Sequence, residues 1–153
     1  MSNYIVIKKT ETATAYISLC DDGIVRVSLK KNVEIGLNEE KENYETFNVL
    51  VQEKYYSFLY TTENSSTVYT SEGLEYAKKH SNTTFPKLCT AVVAKSLAQK
   101  IIANFYTSLL NRTIPHKTFT NYNEAEAWCL KMYKTHQNNK TQNQFLIKGN
   151  INR

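Results

Sequence analysis

Lys95-Ser96 is the pair in this chain best placed to hold an anion. The apolar run Leu88–Ala94 stops at Lys95, and Ser96-Leu97-Ala98-Gln99 has the S-x-x-Q spacing of a helix capping box. Backbone N–H groups at such a helix start, with a cation beside them, attract phosphate or carboxylate. A capped helix followed by solvent explains the same two residues, since the glycines of a phosphate loop are absent. Thr70 and Ser71, just ahead of Glu72-Gly73-Leu74, are a second pair of hydroxyls suited to capping a helix. The histidines His80, His116 and His136 stand alone, with no Ser, Cys or Asp pattern that would make a nucleophile–base dyad. Cys20, Cys89 and Cys129 form no C-x-x-C pair, so no zinc site is expected; Cys89 and Cys129 read as core thiols. Neither a catalytic centre, a metal nor a cofactor is expected.

Aromatic residues are the other chemically able group. Of the eleven tyrosines, Tyr55, Tyr56 and Tyr60 lie on one strand pattern and Tyr106 on the long helical one. Rings beside lysines can stack bases, but strand alternation puts Tyr56, Phe58 and Tyr60 on one face, which is packing geometry. Nucleic acid is therefore not an expected partner. A small apolar ligand held between sheet and helices would meet Tyr56, Phe58, Phe105 and Tyr106.

The elements that must position these residues are legible from periodicity. Ala15–Cys20 and Ile24–Leu29 alternate at period two around Asp21-Asp22-Gly23, a hairpin signal. A helix over 38–52 buries Tyr44, Phe47, Leu50 and Val51, and its acidic first turn suits the helix dipole. Strands are predicted over 14–20, 23–30, 54–61, 87–94 and 115–119, with a further edge strand near Tyr4–Ile7. Leu88–Ala94 is apolar throughout, which predicts a central strand covered on both faces. A short helix starts at Thr70 or Ser71, a long one spans 97–111, and a last one begins near Asn121 with Ala125, Trp128, Cys129 and Met132 on its apolar face. The fold expected is α/β: a single domain over 1–135, with a mixed, mainly parallel sheet of about five strands opening on an antiparallel hairpin, and about four helices. From 136 to 153 the chain turns to Gln, Asn, Lys and Thr and reads as a flexible polar tail.

Length and charge set the outer bounds. A chain of 153 residues buries enough surface to fold without disulfides or metal. The four apolar residues Tyr4–Ile7 are too few for a secretion signal and no stretch reaches membrane-spanning length, so a cytoplasmic protein without membrane insertion is expected. Residues 1–75 carry seven Lys/Arg against twelve Asp/Glu, a net −5, whereas residues 76–153 carry twelve against two, a net +10. Such polarity can steer an acidic partner to one end of the molecule.

The order hairpin, helix, strand, short helix, buried strand, long helix, short strand, helix resembles the STAS-like group, the SpoIIAA-like fold of anti-sigma-factor antagonists. More narrowly, it is similar to an uncharacterised bacterial branch of STAS/SEC14-like proteins. The likeness rests on Asp22-Gly23-Ile24-Val25, Thr70–Ala77, Ala91-Val92-Val93-Ala94-Lys95-Ser96, Asn104-Phe105-Tyr106, Ile114–Phe119 and Glu124–Leu130, and covers roughly residues 14–135. It implies a SpoIIAA-like domain that is regulatory or scaffolding and non-catalytic, and that binds a protein partner or itself. The alternative it implies is a SEC14-like module for a small molecule or lipid. In the STAS antagonists a serine at the start of the helix after the third strand is phosphorylated. That role would fall here on Ser71 or Thr70, beside the plain reading as a helix cap.

Overall fold

The computed structural model describes residues 2–62, 67–80, 86–109 and 113–151, without the side chains at 98, 102, 105–107 and 109. The alternating runs form the expected antiparallel hairpin of β2 (Ala15–Cys20) and β3 (Ile24–Leu29), with Ile17 opposite Val27. β1 (Val6–Glu11) pairs with the free edge of β2 and carries a bulge between Val6 and Lys8. The chain continues through β4 (Glu34–Ile35), α1 (Leu37–Val51), β5 (Tyr56–Thr62), β6 (Val68–Tyr69) and α2 (Ser71–His80). It ends with β7 (Lys87–Val93), α3 (Leu97–Leu109), β8 (His116–Phe119) and α4 (Tyr122–Ile151). The main sheet runs β1-β2-β3-β5-β7-β8, and β3, β5, β7 and β8 are parallel, the last three each reached through a helical crossover. β4 and β6 form a separate two-stranded parallel pair. The fold is thus α/β with four helices and a mixed sheet that opens on a hairpin. It has six strands where about five were expected, the sixth being β1, longer and further along the chain than the predicted edge at Tyr4–Ile7.

Each face of the sheet has its own core. Ile17, Leu19, Val25, Val27 and Phe58 pack against Tyr44, Phe47, Leu50 and Val51 of α1. On the opposite face Ile24, Leu59, Cys89, Ala91, Val93 and Phe119 pack against Ala125 and Cys129 of α4. Each large apolar side chain so buried contributes roughly 1.5–3 kcal/mol. β7 is an inner strand covered on both faces, as its unbroken apolar run predicts.

Polar contacts fix the helices on this frame. Asn43 of α1 is buried and bonds to the β1–β2 turn: its Nδ2 donates to Thr14 Oγ1 (3.0 Å) and its Oδ1 accepts from Thr12 Oγ1 (2.7 Å). Arg26 of β3 clamps the start of α4, donating to Asp22 (2.8 Å), Glu126 (2.7 Å) and the Tyr122 hydroxyl (3.0 Å), with the Tyr4 ring 3.6 Å from its guanidinium carbon. Burial works against its charge, but those bonds outweigh it and hold the guanidinium firmly protonated. α2 approaches β4 so closely that a Cβ on Gly73 would stand 2.3 Å from the Ile35 carbonyl oxygen, so only glycine fits there.

One expectation is corrected outright. The stretch from 136 that reads as a flexible polar tail is helical through Ile151, the second half of a 30-residue helix about 45 Å long. The first half is anchored by Cys129 and the Arg26 clamp, and a helix so nucleated extends at little further cost even through Asn, Gln and Thr.

Candidate functional site

Where α4 leaves the sheet it forms one wall of an open groove of about 510 Å³. The other wall is the turn from α1 into β5, and the lining includes Glu53, Lys54, Tyr55, Tyr56, Tyr133, His136 and Lys140. Two ring contacts join the walls: Tyr56 lies parallel to Tyr133 with centroids 6.3 Å apart, and Tyr55 meets His136 at 4.9 Å. The hairpin turn provides the seat. Gly23 has φ +84°, and a Cβ there would lie 2.2 Å from the Tyr133 ring, so the Asp-Gly turn and the seating of α4 depend on one missing methyl group.

Beyond the groove the helix projects alone. Every residue from Asn138 to Ile151 is exposed, and the apolar ones are markedly so: Phe145 79%, Leu146 67%, Ile147 60% and Ile151 77%. Four large apolar side chains thus stand together on one solvated arm, more than the scattered single exposures of an ordinary surface.

The predicted site residues fall in three separate places. Thr70 caps α2, its Oγ1 accepting from the Gly73 N–H at 3.1 Å, and Ser71 sits beside it as the first helical residue, exposed to solvent. At Lys95-Ser96 the S-x-x-Q pair closes one residue wider than a strict capping box: Ser96 Oγ accepts from the Gln99 N–H (3.2 Å), and Gln99 Oε1 accepts from the N–H of Lys95, the residue before the cap (2.8 Å). The side chains of this box thereby take up two of the N–H groups an anion would use. Of the pocket candidates, Tyr56 lines the groove, but Phe58 is fully buried and packs edge-on against Phe47 in the core. The side chains of Phe105 and Tyr106 lie outside those described. His80 packs against Tyr76 and His116 bonds the Ile114 carbonyl, and among the described residues no group of His, Cys, Asp and Glu could hold a metal ion. The three cysteines are free and buried; Cys129 is held protonated by its contact with the Cys89 thiol and by burial.

Sequence reading missed two groups. Tyr133, His136 and Lys140 continue the spacing set by Cys129 in alternating steps of four and three residues, a signal hidden by their polarity. The second group is a buried acid–base pair. A register shift between Tyr56 and Ser57 swings Lys87 onto the α1 side of the sheet, where its Nζ lies 5.5 Å from the Phe58 ring centroid. Glu40 of α1 is buried facing the same layer, and its Oε2 has no hydrogen-bond partner. Burial pushes the Glu40 carboxyl up to about 7, opposed by Lys87, and burial brings Lys87 down to about 8, opposed by Glu40. Burial likewise keeps the Tyr44 and Tyr60 hydroxyls protonated around them. Helical spacing carries the buried stripe of Tyr44 and Phe47 back onto Glu40 and not onto its exposed neighbour Glu42, a signal masked by the charge of Glu40.

Fold and groove together define an α/β domain with a mixed six-stranded sheet, a solvent-open aromatic groove and a projecting helical arm. The chain belongs to the DUF7793 family, described as a domain of unknown function, whose model matches residues 17–134. That match opens within β2 and closes at Lys134, so β1 and the arm of α4 lie outside it. No curated protein and no solved structure matches the chain. Among the described residues no helix is long and apolar enough to cross a membrane.

Proposed function

We propose that this is a non-catalytic, STAS-like regulatory or scaffolding domain of the cytoplasm that binds a protein partner or a second copy of itself. One observation carries the reading: the solvated arm of α4 with Phe145, Leu146, Ile147 and Ile151 exposed. The order of elements, a hairpin followed by parallel strands alternating with helices, supports the STAS-like likeness. Ser71 supports a phosphorylation switch, because it is exposed while Thr70 supplies the cap, leaving the Ser71 hydroxyl free of that task. The test is native mass spectrometry of the full chain purified from its host, beside the F145D/I147D variant. A bound protein or second copy, lost in the variant, is the expected result; a bare monomer in both cases refutes the proposal.

A second reading, a SEC14-like module for a small molecule, draws on the groove beside Tyr56. The groove mixes charged, amide and aromatic side chains and stands open, whereas a lipid pocket is enclosed and apolar. A co-purifying small molecule in the same spectra would favour it.

A further inference from the structure

We infer that the partner of the α4 arm is a second copy of this chain, and that two copies exchange arms, each arm lying in the aromatic groove of the other. The inference rests on the partner-binding reading above and names its occupant.

The arm's own shape is the first argument. Successive helical residues point about 100° apart, so Phe145, Leu146 and Ile147 together span about 200° of the helix circumference. A flat surface covers only part of that arc, so a complete cover needs a concave site with two walls. The groove between the α1–β5 turn and α4 has two walls, and Tyr55, Tyr56, Tyr133 and His136 supply aromatic surface on both.

An arm cannot fill its own groove. Tyr133–Asn143 and Phe145–Ile151 belong to one uninterrupted helix, so the arm points away from the wall it continues. Each copy therefore carries one unfilled groove and one uncovered arm, and a two-fold pairing satisfies both while closing on itself.

Register supports that pairing. Cys129, Tyr133, His136, Lys140, Asn143 and Ile147 follow one another at alternating steps of four and three, the seam spacing of paired helices. An antiparallel pairing centred between Lys140 and Asn143 sets Ile147 of one copy level with His136 of the other. It also sets each Lys140 level with Asn143, so ammonium meets amide and not ammonium. Four apolar side chains from each copy, with the groove walls they cover, amount to on the order of 1,000 Å², the lower bound of a specific interface.

Charge fixes the salt dependence. From Ala127 to Ile151 the helix holds four lysines and no acidic residue, so two such helices side by side repel. Pairing driven by the apolar arm strengthens as salt rises, whereas docking on an acidic protein or an anionic membrane weakens.

Sedimentation equilibrium of the full chain at about 100 µM, where an interface of this size is populated, tests the inference. The expected mass is twice 17.7 kDa, with a larger dimer fraction at high than at low salt. F145D/I147D on the arm, and separately Y55D on the groove wall, should each give monomer, with a circular-dichroism melt unchanged at about 5 µM, where wild type is monomeric too. Mixing the two monomeric variants restores dimer mass, since one intact arm then meets one intact groove. A monomeric wild type, a dimer indifferent to both variants, or a mixture that stays monomeric overturns the inference. A monomer that still binds another protein through Phe145 and Ile147 overturns self-exchange but leaves the partner-binding reading standing; binding nothing overturns both.

Discussion

Glu40 makes the stability of this protein depend on pH in a direction opposite to that of an ordinary carboxylate. The unfolded chain releases the Glu40 proton at the usual 4.5, whereas burial in the fold holds it until about pH 7. The stabilisation from neutral Glu40 is thus complete below about pH 4.5 and is lost as the pH climbs through 7. Over that interval the loss amounts to about 3 kcal/mol, a large share of the 5–15 kcal/mol by which a typical domain is stable. Lys87 acts at the other end. Its pKa falls from 10.5 to about 8 on folding, so the stability that goes with neutral Lys87 is present above 10.5 and lost as the pH falls through 8. The two limbs leave a minimum between about pH 7 and 8, where both groups are charged and their mutual attraction offsets part of the cost of burial.

The perturbation is E40Q, which keeps the shape and removes the titration. Urea unfolding followed by far-ultraviolet circular dichroism from pH 5 to 10 gives ΔG at each pH. The lower limit avoids carboxylates held ionised by partners, such as Glu126 beside Ser2 and Arg26. Wild type should lose stability from pH 5 to 7.5 and regain part of it by pH 10. E40Q should flatten the acid limb and gain up to about 3 kcal/mol over wild type near pH 7.5, less whatever attraction to Lys87 it forfeits. Should wild-type stability rise from pH 5 to 7, or the acid limb survive in E40Q, the buried position of Glu40 is wrong.

Three further predictions address the switch and the frame. S71D should weaken partner binding and leave the thermal midpoint within a degree or two, because negative charge at a helix N-terminus is favoured; unchanged binding by calorimetry removes the phosphoacceptor role. S96A should cost about 1 kcal/mol in urea unfolding by releasing the Gln99 N–H, and a variant of wild-type stability would show the cap to be idle. G23A should cost at least about 1–2 kcal/mol, since it forces alanine to φ +84° and unseats Tyr133. Hydrogen exchange should then show lost protection around residues 133–137, and protection equal to wild type would refute the close approach of turn and helix.

How far the sequence reveals this fold depends on whether a residue's role is set by near or distant neighbours. Alternation around Asp22-Gly23, the unbroken apolar run of β7 and the S-x-x-Q box are local patterns, and each produced its element within a residue or two. Glu40 is different, because its environment depends on Lys87 and Tyr60 reaching the same layer from other elements, and the bulge that turns Lys87 onto that side leaves no mark in composition. Phe58 shows the same limit from the other side: period two placed it correctly with Tyr56 and Tyr60, but could not show that Phe47 would close the space above it.

The arm of α4 is where composition misleads most, and the reason bears on function. Gln137 to Gln144 has nothing to bury, so taken alone it belongs to the disordered class, and the four apolar residues after it look like an isolated patch. Helix nucleation alters that judgement, because the turns anchored by Cys129 and Arg26 have already met the cost, and each later residue needs only a marginally favourable step. A polar spacer is then what an exposed connector requires: it stays soluble while carrying Phe145 to Ile151 roughly 12–21 Å past Gln137. Were the spacer apolar it would fold back on the sheet, and the apolar tip would have nothing left to bind. If the arm docks as proposed, its anchored turns are stable beforehand and its helicity beyond Gln137 should rise on docking. Circular dichroism at about 5 µM and about 200 µM chain checks this. Helicity that grows with concentration in wild type and stays constant in F145D/I147D supports a docking arm, and equal helicity at both concentrations in wild type would mean that the arm is ordered by α4 alone.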